Sequence, residues 1–222
     1  MDAAGRVRLD ALARVLQDVA IDDVAETGWG VPEHLWFVRR IRVDVLAPLL
    51  RDRSLRLTTW CSGVAAIAAG RRWTVVGDAG GHVEVDSVWI HLDAAGRPAR
   101  IGDFGPYAEA ASGRSVATRL ELPEPASGVT RLPWPLRGAD VDLHGHVNNA
   151  VHWQAVEDAL TDAPVDLGAP LRAELDYREP VERDDAVELS CAATADGALV
   201  GLHVGALLKA VARVGPLDAP RG

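Results

Sequence analysis

The order of polar and apolar residues changes at about residue 149. Before that point polar residues alternate with Val, Leu and Gly, and this alternation predicts an extended or turning backbone that gathers the polar groups. The polar residues are Asp140, Asp142, His144, His146, Asn148 and Asn149. After it the apolar residues follow a helical period, at Val151, Trp153, Val156, Ala159 and Leu160. The pattern predicts a polar cluster beside a helix start, with Asn148 or Asn149 as the N-cap.

Two groups of segments predict β-strands, and those of the first group are rich in Val, Ile, Trp and Thr. The first group lies at 36–45, 55–62, 65–76 and 82–92, and the second at 173–177, 186–193, 199–204 and 207–211. Residues 128–136 supply one more candidate strand before the polar cluster. Pro48 and Pro180 each follow a strand, as expected for a residue that has no backbone N–H to donate.

An internal repeat explains this order of elements. Residues 2–20 align with residues 142–160 at a shift of 140, and residues 41–58 align with 173–190 at a shift of 132. Both copies place an amphipathic helix before their strands. We therefore predict an N-terminal unit at 1–105, a linker rich in Gly, Pro, Ser and Ala at 106–127, and a C-terminal unit at 128–222.

Only the second copy carries a reactive set of side chains. The first copy keeps Asp2 opposite Asp142, but Ala4, Arg6, Arg8 and Leu9 stand where the second copy has His144, His146, Asn148 and Asn149. We expect the first unit to shape a binding pocket instead. Its five tryptophans are candidates for the lining, although core packing is the ordinary role of each one: Trp29, Trp36, Trp60, Trp73 and Trp89.

Composition excludes several classes of function. The formal net charge of −9 and the pI near 5.2 argue against a nucleic-acid partner. No apolar run reaches the roughly 18 residues of a membrane span, and the first residues lack a secretory core, so we expect a cytoplasmic protein. Cys61 and Cys191 are too few for a disulfide framework, and we expect buried, inert thiols.

At the polar cluster the sequence resembles a known family. The pattern D-x-D-x-H-x-HVNN, followed by an aromatic-rich helix, is similar to the acyl-ACP thioesterases and their acyl-CoA thioesterase relatives. The resemblance implies the hotdog fold, here an α+β tandem (double) hotdog with two central helices, each wrapped by an antiparallel β-sheet. It implies hydrolysis of a fatty acyl-ACP or acyl-CoA thioester to a free acid, without a cofactor or a metal.

The resemblance also assigns roles to the cluster. Asp142 is the expected catalytic carboxylate, which attacks the thioester carbonyl or deprotonates water. His146 is expected to orient water or protonate the thiolate, and backbone N–H groups at 147–150 to receive the oxyanion. The full expected catalytic set is Asp142, His144, His146 and Asn149, and the expected substrate-binding set is Trp36, Trp60, Trp73, Trp89 and Asn148.

Two departures from the family pattern affect the mechanism. His144 stands where the family has Asn, and Pro180 and Val181 stand where the plant enzymes have a functional Glu and Cys. A cysteine nucleophile is excluded at that site, and the downstream acid is missing unless Glu179, one residue out of register, replaces it.

Three alternatives stay open at this point. A hotdog hydratase or dehydratase has a D-x-N-P-x-H motif, with a Pro and a longer spacing than this chain shows. A non-catalytic acyl-thioester-binding protein is compatible with the missing downstream acid. A metal site of Asp140, Asp142, His144 and His146 has suitable ligand types but no flanking metal motif.

The acyl carrier is expected to be acyl carrier protein or coenzyme A, and both are negatively charged. Candidate docking arginines on this acidic chain are Arg39, Arg40, Arg42, Arg71 and Arg72. Two fused units also predict either a monomer with an internal pseudo-dimer or a homodimer.

Overall fold

The computed structural model describes residues 1–29, 35–119, 121–143 and 145–217. The helices are α1 (Leu9–Thr27), α2 (Pro106–Ala111) and α3 (Asn149–Ala159). The strands are β1 (Leu35–Ala47), β2 (Leu55–Ala65), β3 (Ala68–Gly77), β4 (His82–Leu92), β5 (Arg131–Pro133), β6 (Leu171–Tyr177), β7 (Val187–Thr194), β8 (Gly197–Val204) and β9 (Leu207–Pro216). None of the described helices is both long and apolar enough to cross a membrane.

Within these residues, nine strands form one antiparallel sheet in the order β2-β3-β4-β1-β6-β9-β8-β7-β5. The strands β1 to β4 come from the first sequence copy and β6 to β9 from the second. The helices α1 and α3 contact each other and share one hydrophobic core with the strands of both copies. The predicted α+β tandem hotdog architecture is confirmed.

Periodicity decides which faces of these elements are buried. On α1, Leu9, Leu12 and Leu16 are buried and recur at helical spacing. On β4, buried Val83 and Val85 alternate with polar residues, as on a strand with one face against a core. Because helix and strands present their apolar faces to the same layer, the core forms between them.

The two copies meet where β1 pairs with β6. The guanidinium of Arg172 binds the carboxylate of Asp44 at 2.6 and 2.9 Å, and Arg40 binds Asp176 on the same two strands. Residues 132 positions apart are equivalent in the repeat, so each pair is the image of the other. The junction therefore has the self-complementary form of a twofold dimer interface within one chain.

The segment between the copies has more structure than its composition predicts. It contains α2, which packs beside β2, and the amide of Val64 on β2 donates to the carbonyl of Arg114 at 3.0 Å. Further on, the amide of Leu122 donates to the buried carboxylate of Asp176 at 2.7 Å. The strand predicted at 128–136 is only three residues long, as β5, which pairs with β7. The segment thus covers one end of the sheet and is fixed to its middle.

Candidate active site

Asp142 and His146 belong to one tight turn before α3. The amide of Asp142 donates to the carbonyl of His146 at 2.8 Å, and the amide of His146 lies 3.3 Å from Asp142 Oδ1. Gly145 completes the turn with φ +85°, a backbone conformation that residues other than glycine rarely adopt. The turn holds a half-buried carboxylate and an imidazole four residues apart in a fixed relation.

The first copy forms the same turn, and there the Asp carboxylate is bound by groups of the turn itself. The amide of Asp2 donates to the carbonyl of Arg6 at 2.9 Å, and Gly5 has φ +84°. Here Asp2 accepts bonds from the amides of Ala4 and Arg6 and from the Arg6 guanidinium at 2.9 to 3.0 Å. Burial acts to raise the pKa of Asp2, but these bonds outweigh it and the pKa is lowered. The Arg6 guanidinium thus binds the carboxylate of its own turn, and the equivalent position of the second copy is His146, whose amide faces Asp142.

The acidic residue beside His146 is Glu182. The bond from the Val147 amide to the Val181 carbonyl, at 2.8 Å, brings the two segments together. His146 Nε2 then lies 3.4 Å from Glu182 Oε1, with both side chains about half exposed. Glu179, the acid considered from the sequence, instead binds Lys209 at 3.1 Å. Sequence reasoning missed Glu182 because only the pairing of these loops shows which acid faces His146.

Asn148 and Asn149 differ in their hydrogen bonds at the start of α3. Asn148 is the N-cap, because its Oδ1 accepts the amide of Ala150 at 2.9 Å. Its own amide donates to the carbonyl of Asp140 at 2.8 Å. Among the described contacts, the amide of Asn149 has no acceptor. This N–H points from the positive end of a helix dipole and remains available to an oxyanion.

Two buried aromatic side chains hold this helix start, His152 on α3 itself and Tyr177 on β6. His152 Nδ1 lies 3.3 Å from the Asn148 carbonyl, and the Tyr177 hydroxyl donates to the Asn149 carbonyl at 3.0 Å. Burial lowers the pKa of His152 to about 4 and raises the pKa of Tyr177, so both are neutral near pH 7. Sequence reasoning missed both residues, since a helical His and a strand Tyr look like ordinary core residues.

Two neighbouring cavities lead from α3 into the first unit. A small apolar cavity of about 20 Å³ is lined by Asn149 and Ala150 of α3, by α1 and by the sheet. An open cavity of about 310 Å³ follows, and both are lined by Gln17 and Trp89. The wall of the larger one includes the aromatic side chains of Trp29, Trp36, Trp89, Phe104 and Tyr107. Its volume is at the lower end of the range for ligand pockets, about 300 to 1,000 Å³.

The predicted tryptophans separate into three environments. Trp36 and Trp89 line the large cavity, and Trp29 joins them, with ring centroids 6.4 Å from Trp36. Trp73 lines the small cavity and is 2% exposed. Trp60 alternates with Cys61 on β2, so it lies on the opposite face of the strand, and it is not among the described residues that line either cavity.

The predicted docking arginines already have partners. Arg40 binds Asp176, Arg42 and Arg72 bind Asp86, and Arg71 binds Asp23. Arg39 donates to the Tyr177 carbonyl at 2.9 Å. Four of the five are thus held in ion pairs within the protein, and the partner of Arg39 is an uncharged carbonyl.

His144, expected in the catalytic set, lies outside the described residues. Among those that are described, no three His, Cys, Asp or Glu side chains cluster closely enough to hold a metal ion.

Comparison with known proteins agrees with this geometry. The family model of the acyl-ACP thioesterase N-terminal domain matches residues 1–103, and that of the C-terminal domain matches residues 124–207. An uncharacterised protein of Mycobacterium tuberculosis is 30% identical over 185 residues, which are 82% of this chain and 74% of that protein. Oleoyl-acyl carrier protein thioesterase 2 of Arabidopsis thaliana is 23% identical over 206 residues, 81% of this chain and 56% of that protein.

Solved structures show the same fold. The 12:0-ACP thioesterase of Umbellularia californica aligns with a TM-score of 0.78 and 16% identity, over 97% of this chain and 92% of that one. An acyl-ACP thioesterase of Bacteroides thetaiotaomicron aligns with a TM-score of 0.77 and 18% identity, over 97% and 92% of the two chains.

Proposed function

The chain belongs to the acyl-ACP thioesterase family and is a thioester hydrolase, and we propose that it releases a free fatty acid from acyl-ACP with Asp142 as its catalytic carboxylate. The observation that carries this assignment is the difference between the two equivalent turns. Arg6 occupies the carboxylate of Asp2, whereas Asp142 has a histidine in that place, next to a helix start that leads to an aromatic cavity.

The proposed reaction uses water as the nucleophile. Asp142 accepts a proton from water, whose oxygen attacks the thioester carbonyl carbon. The tetrahedral intermediate then collapses with cleavage of the carbon–sulfur bond, and His146 donates a proton to the departing thiolate. Proton transfer from Asp142 back to His146 through solvent returns both groups to their starting states. The products are a free acid and the carrier thiol.

We assign the oxyanion to the amide of Asn149. This N–H is the first of α3 and, within the described residues, has no other acceptor. Donors of this kind, fixed before the reaction, stabilise negative charge that develops in the transition state. The contacts of His152 and Tyr177 to the two asparagine carbonyls support this role, because they hold the donor in place.

The acyl chain is assigned to the two cavities. From Asn149 the small cavity continues past Gln17 and Trp89 into the larger aromatic cavity. Because the small cavity holds little more than one water-sized sphere, side chains at this junction must shift to admit a chain. Trp36 and Trp89 are proposed to contact the acyl chain inside the first unit.

The test uses the internal symmetry of the chain as its control. We expect Asp142→Asn to lower the rate of acyl-ACP hydrolysis by about 100-fold or more, the usual size of a lost acid–base group. Asp2→Asn, at the equivalent turn, is expected to retain most of the rate. Hydrolysis is followed by release of the carrier thiol, and circular dichroism checks the fold of each variant.

Retention of the rate in a folded Asp142→Asn protein contradicts the assignment of Asp142. Absence of hydrolysis by the wild type, across a panel of acyl-ACP and acyl-CoA thioesters, contradicts the catalytic proposal and favours acyl-thioester binding instead.

A further inference from the structure

One charged side chain interrupts the apolar inner face of the sheet in the first unit. On β3 the residues Arg71, Trp73 and Val75 face the core side, since alternate residues of a strand share a face. Trp73 and Val75 are almost completely buried, and the Arg71 side chain is 11% exposed. A guanidinium in such a position needs partners, because an unpaired buried charge is costly.

Arg71 finds its partners on three other elements. Its Nη2 lies 2.7 Å from Asp23 Oδ2 on α1, and its Nη1 donates to the Thr59 hydroxyl on β2 at 3.1 Å. The Tyr107 hydroxyl of α2 also donates to Asp23, at 2.9 Å, and its ring centroid lies 5.6 Å from the guanidinium. Arg71, Asp23 and Tyr107 form what we call the polar triad. Its net charge is zero, because burial raises the pKa of Tyr107 and keeps the phenol protonated.

Two members of the polar triad, Arg71 and Tyr107, form part of the wall of the aromatic cavity, and Asp23 binds both of them from outside its lining. Arg71 and Tyr107 both line this cavity, together with Trp29, Trp36, Trp89 and Phe104. Neither Arg71 nor Tyr107 lines the small cavity beside Asn149. The triad thus lies in the part of the proposed acyl site that is further from the catalytic helix.

This placement has a consequence for the acyl chain. A purely hydrocarbon tail that fills the cavity removes water from a charged pair without replacing the lost hydrogen bonds. A hydroxyl or oxo group on the tail replaces them as an acceptor for Arg71, and a hydroxyl can also donate to the Tyr107 oxygen. Because the triad has no net charge, it favours a neutral oxygen group over a carboxylate.

We propose that the acyl group hydrolysed by this protein carries a neutral hydroxyl or oxo group near its distal end, and that Arg71 and Tyr107, both held by Asp23, bind that group. This inference rests on the proposed thioesterase function, whose acyl site it specifies. It makes Arg71 a residue that selects the substrate without taking part in bond cleavage.

The test compares acyl-ACP substrates of one chain length. One is unsubstituted, one carries a hydroxyl on the last or last-but-one carbon, one carries it on the carbon β to the thioester, and one ends in a carboxylate. We expect kcat/KM for the distal hydroxyl to exceed that of the unsubstituted chain by about tenfold, the effect of one good hydrogen bond to a charged group. The β-hydroxyl substrate should show no such gain, and the carboxylate should be poorer than the hydroxyl.

Variants then test whether the preference for a distal hydroxyl depends on Arg71. Arg71→Met should remove the preference for the distal hydroxyl and improve hydrolysis of the unsubstituted chain, since the charged group no longer faces the tail. The double variant Arg71→Met with Asp23→Asn tests the same point without an unpaired carboxylate. Arg72→Met is the matched control, because Arg72 is the next residue of β3, is half exposed and faces away from the cavity; it should keep the wild-type preference.

The outcomes separate the two proposals. If the wild type hydrolyses the unsubstituted chain as fast as the distal-hydroxyl chain or faster, this inference is overturned and the thioesterase function is left intact. A preference for the chain that ends in a carboxylate has the same meaning. If no thioester is hydrolysed, the thioesterase function fails, and the inference is decided by binding of the free acids, followed by quenching of tryptophan fluorescence. Tighter binding of the distal-hydroxy acid to wild type than to Arg71→Met supports it, and equal binding overturns it.

Discussion

At the scale of single residues, the two loops at the site decide which acid acts with His146. The main-chain bond between Val147 and Val181 places Glu182 beside the imidazole, and Glu179 is bound to Lys209. The pair of His146 and Glu182 is about half exposed, so its strength is limited to about 1 kcal/mol. We infer that Glu182 orients the imidazole and does not react itself.

The different contacts of Glu182 and Glu179 give a paired mutational prediction. We expect Glu182→Gln to lower kcat for acyl-ACP hydrolysis by up to about fivefold, which corresponds to a contact of about 1 kcal/mol, with little change in KM. Glu179→Gln should leave kcat unchanged. The reverse ranking in steady-state kinetics would mean that Glu179 is the functional acid after all.

A second residue-scale prediction concerns pH. His152 has a pKa of about 4 in the folded protein, lowered by burial, against a reference value of 6.5. Between pH 6.5 and pH 4, His152 therefore binds a proton in the unfolded chain and stays neutral in the folded chain. The stability due to neutral His152 is complete above pH 6.5 and is lost as the pH falls towards 4, by about 3 kcal/mol in total.

The measurement is urea unfolding between pH 7 and pH 4 for the wild type and for His152→Gln, whose amide can still donate to the Asn148 carbonyl. The variant should lose less free energy of unfolding over this range than the wild type does. Identical pH dependence in the two proteins would show that His152 is accessible to protons in the folded state.

At the scale of elements, the pairing of β1 with β6 contains two equivalent ion pairs in unequal surroundings. The Asp176 side chain is fully buried and accepts bonds from both Arg40 and the Leu122 amide. The Asp44 side chain is 14% exposed and binds Arg172, which is 34% exposed. Removing a partner from a buried pair costs about 3 to 5 kcal/mol, and much less where water reaches the remaining charge.

We therefore expect Asp176→Asn to lower the free energy of unfolding by about 3 kcal/mol, and the equivalent Asp44→Asn to lower it by about 1 kcal/mol. Chemical denaturation of both variants under the same conditions provides the comparison. Equal losses would indicate that the contact to Leu122 adds nothing at this junction.

Sequence patterns predicted the regular elements well and the short ones poorly. The strands of the first copy were predictable because Val, Ile and Trp recur along them, with alternate burial as at Val83 and Val85 on β4. The turn at Asp142 was predictable because Asp, Gly and a following N-cap stand at fixed spacing. The six residues of α2, Pro-Tyr-Ala-Glu-Ala-Ala, were not, because fewer than two turns show no helical period. Glu182, Tyr177 and Arg71 act through contacts between distant segments, which no local pattern reports.

At the scale of the whole molecule, the repeat makes the chain a dimer of units with a covalent link. One continuous hydrophobic core includes α1, α3 and strands of both copies, and β1 pairs with β6 along six residues on each strand. These noncovalent contacts resemble an obligate interface, and the segment that joins the copies adds its own contacts through α2 and the Leu122 amide.

We expect the protein to remain assembled after its linker is cut. A protease site inserted after Ala117, an exposed position, allows cleavage of the folded protein. The two pieces should elute together in size-exclusion chromatography and keep their acyl-ACP hydrolysis. Elution as two separate species would show that the interface depends on the covalent connection.

The ends of the nine-stranded sheet have a further consequence. Joining β1 to β6 leaves β2 and β5 as the outer strands. The packing of α2 and the bond to Arg114 cover part of β2, and β5 is three residues long and ends in Pro133, which has no amide hydrogen. Exposed strand edges invite uncontrolled pairing between molecules, and short, proline-bearing or covered edges resist it. The fusion of the two units therefore also protects the protein from aggregation through its sheet, because β1 and β6 already pair with each other.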